Sequence, residues 1–126
     1  MTLVLDASAI LAMLLGEPGG ERVLDALDTS VVSVVGLAEV LSKLADRGVA
    51  TGQLPDELRS AGVRFEAVVE ADAVDVGRLR LLDSRHVLSL GDRICLALAR
   101  RLGLAVLTGD RVWAETDYGV DVVLVR

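Results

Sequence analysis

Histidine occurs once in this 126-residue chain, at His86, and cysteine once, at Cys95; lysine is also single, at Lys43. One cysteine excludes an internal disulfide and a cysteine-based metal cluster, and with Ile94 and Leu96 beside it Cys95 reads as a packed thiol. One histidine, with no serine elbow and no cysteine pattern near it, offers little for nucleophilic catalysis, so His86 reads as a surface or loop residue. The glycine-rich stretch "GEPGGER" lacks the Lys-Ser/Thr ending that a phosphate-cradling loop requires. Net positive charge is missing too: the formal charge is −6, which argues against a general nucleic-acid binder with a basic surface. The longest uncharged apolar run, "ASAILAMLLG" (Ala7–Gly16), falls short of the roughly 20 residues of a membrane span, and Asp6 stands where a secretory leader would carry Lys or Arg. A cytoplasmic protein is expected.

What the chain has in quantity is apolar side chains, 52% of residues, with a mean hydropathy of +0.52. That surplus suits either a generously packed core or a second apolar surface for a dimer or another partner. Twelve of the thirteen basic residues are arginine, the better fork for phosphate. The length matches one domain, residues 1–126.

Strand-like and helix-like stretches alternate. "TLVLD" (Thr2–Asp6), "SVVSVV" (Ser30–Val35), "VRFEAVVEA" (Val63–Ala71), "LAVLT" (Leu104–Thr108) and "VDVVLV" (Val120–Val125) read as strands. Helical stretches are "ASAILAMLLGE", "ERVLDALD", "GLAEVLSKLADRG", a segment starting near Pro55, "AVDVGRLRLLDS", "GDRICLALARRLG" and the short "DRVWAETD". Strands separated by helices pair in parallel, so the expected fold is a three-layer α/β/α sandwich around a mainly parallel sheet. Ligands of such sheets sit beyond the carboxyl ends of the strands, near the point where strand order reverses.

Two strands end in aspartate there: "LVLD" at Asp6 and "AVLTGD" at Asp110. Asp92 opens a helix in "LGDRICLALA". Each of the three has an ordinary use as a helix cap. Glu39 lies four residues before Lys43, the spacing of a surface ion pair, and away from the Leu37/Leu41/Leu44 stripe; periodicity alone puts it on the solvent face. Yet carboxylates gathered at one sheet edge repel unless protonated or neutralised by a cation. Oxygen ligands without His or Cys favour Mg²⁺ or Mn²⁺. Ser8 in "DAS" and Thr108 in "TGD" offer hydroxyls to orient a carboxylate, and Gly109 allows close backbone approach.

"LVLDASAI", "SVVGLAEVLSKLADRG", "LSLGDRICLALA" and "AVLTGD", with Trp113 just beyond, stand in an order that resembles the PIN-domain ribonucleases. More narrowly the chain is similar to the VapC toxins of bacterial VapBC toxin–antitoxin pairs. The resemblance implies that Asp6, Glu39, Asp92 and Asp110 form one acidic pocket holding Mg²⁺ or Mn²⁺, with Ser8 and Thr108 in support. It therefore turns Glu39 inward. It implies endonucleolytic RNA cleavage leaving a 5′-phosphate and a VapB-like antitoxin whose C-terminal segment packs on an apolar groove; the apolar surplus fits that partner and also a homodimer, and the short apolar runs imply no membrane. Arg93 and Arg111 are candidates for flanking RNA phosphates, and Asp117 for an auxiliary acid. Val49–Glu70 matches no motif and is a candidate for substrate choice.

Two other classes fit parts of the pattern. A response-regulator receiver, a phospho-acceptor domain, needs paired acids after the first strand and a lysine near the last; here Asp6 stands alone and Lys43 is mid-helix. A non-catalytic PIN-fold binding module shares the architecture without needing all four acids.

Overall fold

The structure is a computed structural model and describes residues 1–126. Short apolar segments form five strands: β1 (Leu3–Leu5), β2 (Ser30–Ser33), β3 (Arg64–Glu66), β4 (Ala105–Thr108) and β5 (Val122–Leu124). Between them run α1 (Ala7–Leu14), α2 (Gly20–Ala26), α3 (Val34–Asp46), α4 (Leu54–Ser60), α5 (Glu70–Leu82) and α6 (Leu90–Leu102), with short 3₁₀ turns at Leu27–Thr29 and Arg111–Ala114. All pairings are parallel and the order is β3-β2-β1-β4-β5. This differs from the 2-1-3-4-5 order of receiver domains, and it leaves the third strand at an edge, away from the crevice a phospho-acceptor would occupy.

Because side chains alternate across a strand, each central strand feeds two cores. Leu3, Leu5, Val32 and Leu107 pack with Ile10, Val23, Val40, Leu44 and Leu58 of the helices α1–α4. Val4, Val31 and Val106 face the opposite way, against Val76 and Leu79 of α5, Leu96 and Leu98 of α6, and the fully buried Trp113. The three-layer α/β/α sandwich is thus produced by continuous apolar runs, since a strand covered on both faces has no polar side to show. Cys95 is buried and free, as its apolar neighbours require. His86 is exposed in the α5–α6 loop, at a positive φ of 56°.

Element boundaries depart from the sequence reading where local rules compete. The expected strand Ser30–Val35 stops at Ser33, whose hydroxyl accepts the Val35 N–H and so starts α3. The expected strand Val63–Ala71 shrinks to Arg64–Glu66, because Asp72 accepts the Val69 N–H and opens α5 at Glu70. The apolar run alone does not reveal either cap. The short helix expected in "DRVWAETD" is one 3₁₀ turn.

Candidate active site

The crevice between β1 and β4 is where strand order reverses, and the register pairs Leu5 with Leu107. Asp6 and Thr108 therefore stand level at the carboxyl edge of the sheet. Asp6 is buried, at 6% exposure. Its Oδ1 accepts the Ala9 N–H at 2.9 Å, capping α1. The Ser8 hydroxyl, 2.8 and 2.9 Å from the two carboxylate oxygens, donates to the same group, and Thr108 Oγ1 donates to Oδ2 at 2.8 Å. Those hydroxyls also accept backbone N–H groups: Gly109 donates to Ser8 Oγ and Asp110 to Thr108 Oγ1, each at 3.0 Å. The ends of β1 and β4 are thereby sewn together around one carboxylate.

Asp110 caps the turn that follows β4, its Oδ1 accepting the Val112 N–H at 3.1 Å. Asp92 is not the cap of α6 but its third residue. Ser89 is the cap, and the two form a reciprocal box: Asp92 Oδ2 accepts the Ser89 N–H at 2.9 Å, and Ser89 Oγ accepts the Asp92 N–H at 3.1 Å. Ser89→Ala should cost about 1 kcal/mol, read as a lower urea midpoint with unchanged slope; no change in midpoint would show that the box contributes nothing.

Glu39 corrects the solvent-face expectation. It is half-buried, and its carboxylate lies over Gly91 at the start of α6: a Cβ built on Gly91 would meet Glu39 Oε1 at 2.6 Å. Periodicity places a residue on a helix face but says nothing of which neighbour covers that face. Here α3 crosses α6, so the polar side of α3 meets the start of α6. Gly91 is the signal the sequence does carry: a glycine inside the first turn of a helix, where almost any residue is a better helix former, marks a close neighbour.

Burial and mutual repulsion show in the ionisation of these groups. Burial pushes Asp6 up to about 6, against the opposing bonds from Ala9, Ser8 and Thr108 and with help from the charge on Asp92. Burial also raises Glu39, and the negative charge of Asp92 adds to it. Asp92 is raised by burial and by the Asp110 carboxylate, the Ser89 box and Lys43 opposing. Even the Cys95 thiol, raised mainly by its burial, feels Asp6, Asp92 and Glu39. Asp6, Glu39 and Asp110, from three remote parts of the chain, therefore all lie within electrostatic reach of Asp92. No three of them converge at metal-ligand distance in this side-chain arrangement; Asp6, Asp92 and Asp110 each commit an oxygen to a backbone N–H. The donor set nonetheless suits a hard divalent cation, being all oxygen, negative and partly desolvated.

The remaining candidates divide. Arg111 is exposed beside Asp110. Arg93 turns away, Nη1 donating to the Val76 carbonyl on α5 at 3.2 Å. Asp117 is exposed and accepts the Gly119 N–H within its own turn.

Comparison with known proteins bears on the fold. The family model described as PIN domain matches residues 3–118. A toxin–antitoxin complex from Klebsiella pneumoniae contains a chain with a TM-score of 0.73 at 17% identity, 98% of each chain being covered. FitAcB from Neisseria gonorrhoeae gives 0.72 at 21% identity, over 97% of this chain and 96% of that one. VapC20 of Mycobacterium tuberculosis, a sarcin-ricin loop cleaving toxin, gives 0.68 at 16% identity, over 90% and 95%. At these identities the likeness is one of fold. Comparison with curated proteins gives no match. With the family model matching nearly the whole chain, the chain belongs to the PIN domain family.

Proposed function

We propose that this protein is a divalent-metal-dependent endoribonuclease and the toxin of a type II toxin–antitoxin pair. The observation that carries this reading is the gathering of Asp6, Glu39, Asp92 and Asp110 at the β1/β4 crevice, where three of them are raised above ordinary carboxylates. Structural acids are normally paired with cations; a set left to repel itself inside a crevice calls for an external positive charge. Membership of a nuclease-bearing family points the same way, and the sarcin-ricin loop cleaving toxin shares the fold.

Asp6, Asp92 and Asp110 are the residues that would hold Mg²⁺ or Mn²⁺. The chemistry such an ion supplies when bound is acidification of water and neutralisation of charge on the phosphate. Ser8 and Thr108 fix the Asp6 carboxylate in one orientation. Glu39, raised by burial, is placed to orient the attacking water and accept its proton. Attack at phosphorus with departure of the 3′ oxygen leaves a 5′-phosphate. Arg111 is free to meet a neighbouring RNA phosphate; Arg93 is the weaker candidate, since Val76 holds it.

An antitoxin partner is supported by the toxin–antitoxin complexes that share the fold. Exposed Val74, Leu81 and Leu90 supply apolar surface for that partner or for a second copy of the chain. No helix is long and apolar enough to cross a membrane.

Purified chain should cut structured RNA in Mg²⁺ or Mn²⁺, leave 5′-phosphate ends, and stop in EDTA; cutting that persists in EDTA, or none with either metal, overturns the reading. Gly91→Ala offers a finer check. Its Cβ must displace the Glu39 carboxylate, a flexible group, so the fold survives and helix propensity adds about 0.5 kcal/mol. Cleavage should fall about tenfold or more while Tm holds or rises; unchanged turnover would remove Glu39 from the reaction.

A further inference from the structure

Of the thirteen basic side chains, six are ion-paired: Arg59, Arg64, Arg78, Arg85, Arg100 and Arg101. Lys43, Arg47 and Arg126 are not, although all three line one cleft of about 400 Å³. Its walls also carry Ser8, Glu17 and Asp46. None of the three is in an ion pair, so their donors remain open to an anion that enters the cleft.

The cleft opens onto the acidic crevice at two points. Ser8 belongs to both, its hydroxyl being hydrogen-bonded to Asp6. Arg126 lies beside the "TGD" turn: a Cβ on Gly109 would be 3.4 Å from both Nη atoms of Arg126 and 3.4 Å from Ser8 Oγ. Arg126 makes no ion pair with the nearby carboxylates; its Nη1 donates to the Pro18 carbonyl at 2.9 Å, holding the fork beside them with donors to spare. On the other wall, Lys43 is near enough to Glu39 and Asp92 to offset part of the burial effect on both.

We infer that Lys43, Arg47 and Arg126 form a subsite for an RNA backbone phosphate adjacent to the one being cut. This rests on the nuclease reading. Cations at one flank of a carboxylate centre hold the strand in register without reading its bases, which is the positioning role of phosphate contacts. Arg126 is then a positioning residue.

The test uses the full chain, a labelled single-stranded RNA, and salt. Each phosphate contact removed should lower the slope of log KM against log salt by about 0.7. Arg126→Gln, Arg47→Gln and Lys43→Gln should each raise KM roughly three- to tenfold at moderate salt, with a smaller change in kcat, and the triple variant should flatten the slope by about 2. Arg126→Lys should recover part of the slope. Arg80→Gln, at an exposed position on α5, controls for net charge alone. A variant that loses Tm but keeps the parental slope would reduce Arg126 to a strut for the Pro18 loop and overturn the subsite. Parental KM and slope in all three variants would overturn it while leaving the nuclease reading intact. Absence of both binding and cleavage in the unmutated chain would overturn the two together.

Discussion

Asp6→Asn should reduce metal-dependent RNA cleavage by at least about 100-fold and, in the same protein without metal, raise stability near neutral pH. The two effects have one cause. Asp6 is buried, and burial outweighs the hydrogen bonds from Ala9, Ser8 and Thr108, so its carboxyl is raised from 3.8 to about 6. The folded state therefore binds a proton more tightly than the unfolded chain between those values. Stability contributed by this group is undiminished below pH 3.8, falls as pH rises toward 6, and stays reduced above it. The displacement corresponds to about 3 kcal/mol. Asparagine keeps the volume, caps α1 nearly as well, and removes the charge. Tm of the variant measured in EDTA should exceed that of the parent by several degrees at pH 7.5 and match it near pH 4. A variant that cuts RNA at the parental rate would end the case for Asp6 as a metal ligand; a variant less stable at pH 7.5 would show that Ser8 and Thr108 compensate the charge more fully than burial penalises it.

Saturating Mg²⁺ or Mn²⁺ should stabilise the chain by about 2.7 kcal/mol at a hundred times Kd, with most of the gain lost at pH 5. The cation must find carboxylates ionised, and Asp6, Glu39 and Asp92 all hold their protons to higher pH than free side chains do. Binding should release protons near pH 6, measurable as a buffer-dependent heat in calorimetry. Combining Asp92→Asn with Asp110→Asn should abolish both the heat and the Tm shift. If Tm is indifferent to either metal at pH 7.5, the crevice is not a cation site and the repulsion among its acids has some other remedy.

Much of the candidate site is legible in the sequence. Asp6 and Asp110 announce themselves because an apolar run ending in an acid places that acid at the carboxyl edge of a buried strand. Capping does not compete with the proposed role: each carboxylate caps the turn beside it with Oδ1. Asp92 was found at the right helix end but in the wrong capping position, since Ser89 takes that place. Glu39 was the hard one. Its spacing to Lys43 is that of a solvent pair, and only the resemblance to a nuclease family pointed it inward; the physical reason, the passage of α3 across the first turn of α6 at Gly91, lies in no local window. Arg126 is not legible in the sequence, because a cation after the final strand has no periodicity or motif to mark it.

The order of apolar runs, helix formers and glycine breaks is enough to determine a parallel α/β sheet with aspartates at strand ends, because burial on both faces and short-range capping act over a few residues. Which strands neighbour each other, which helix crosses which, and hence which carboxylates and cations share a crevice, was decided only by tertiary packing. Contacts such as Thr108 to Asp6, 102 positions apart in the chain, cost loop entropy that only the assembled core can offset.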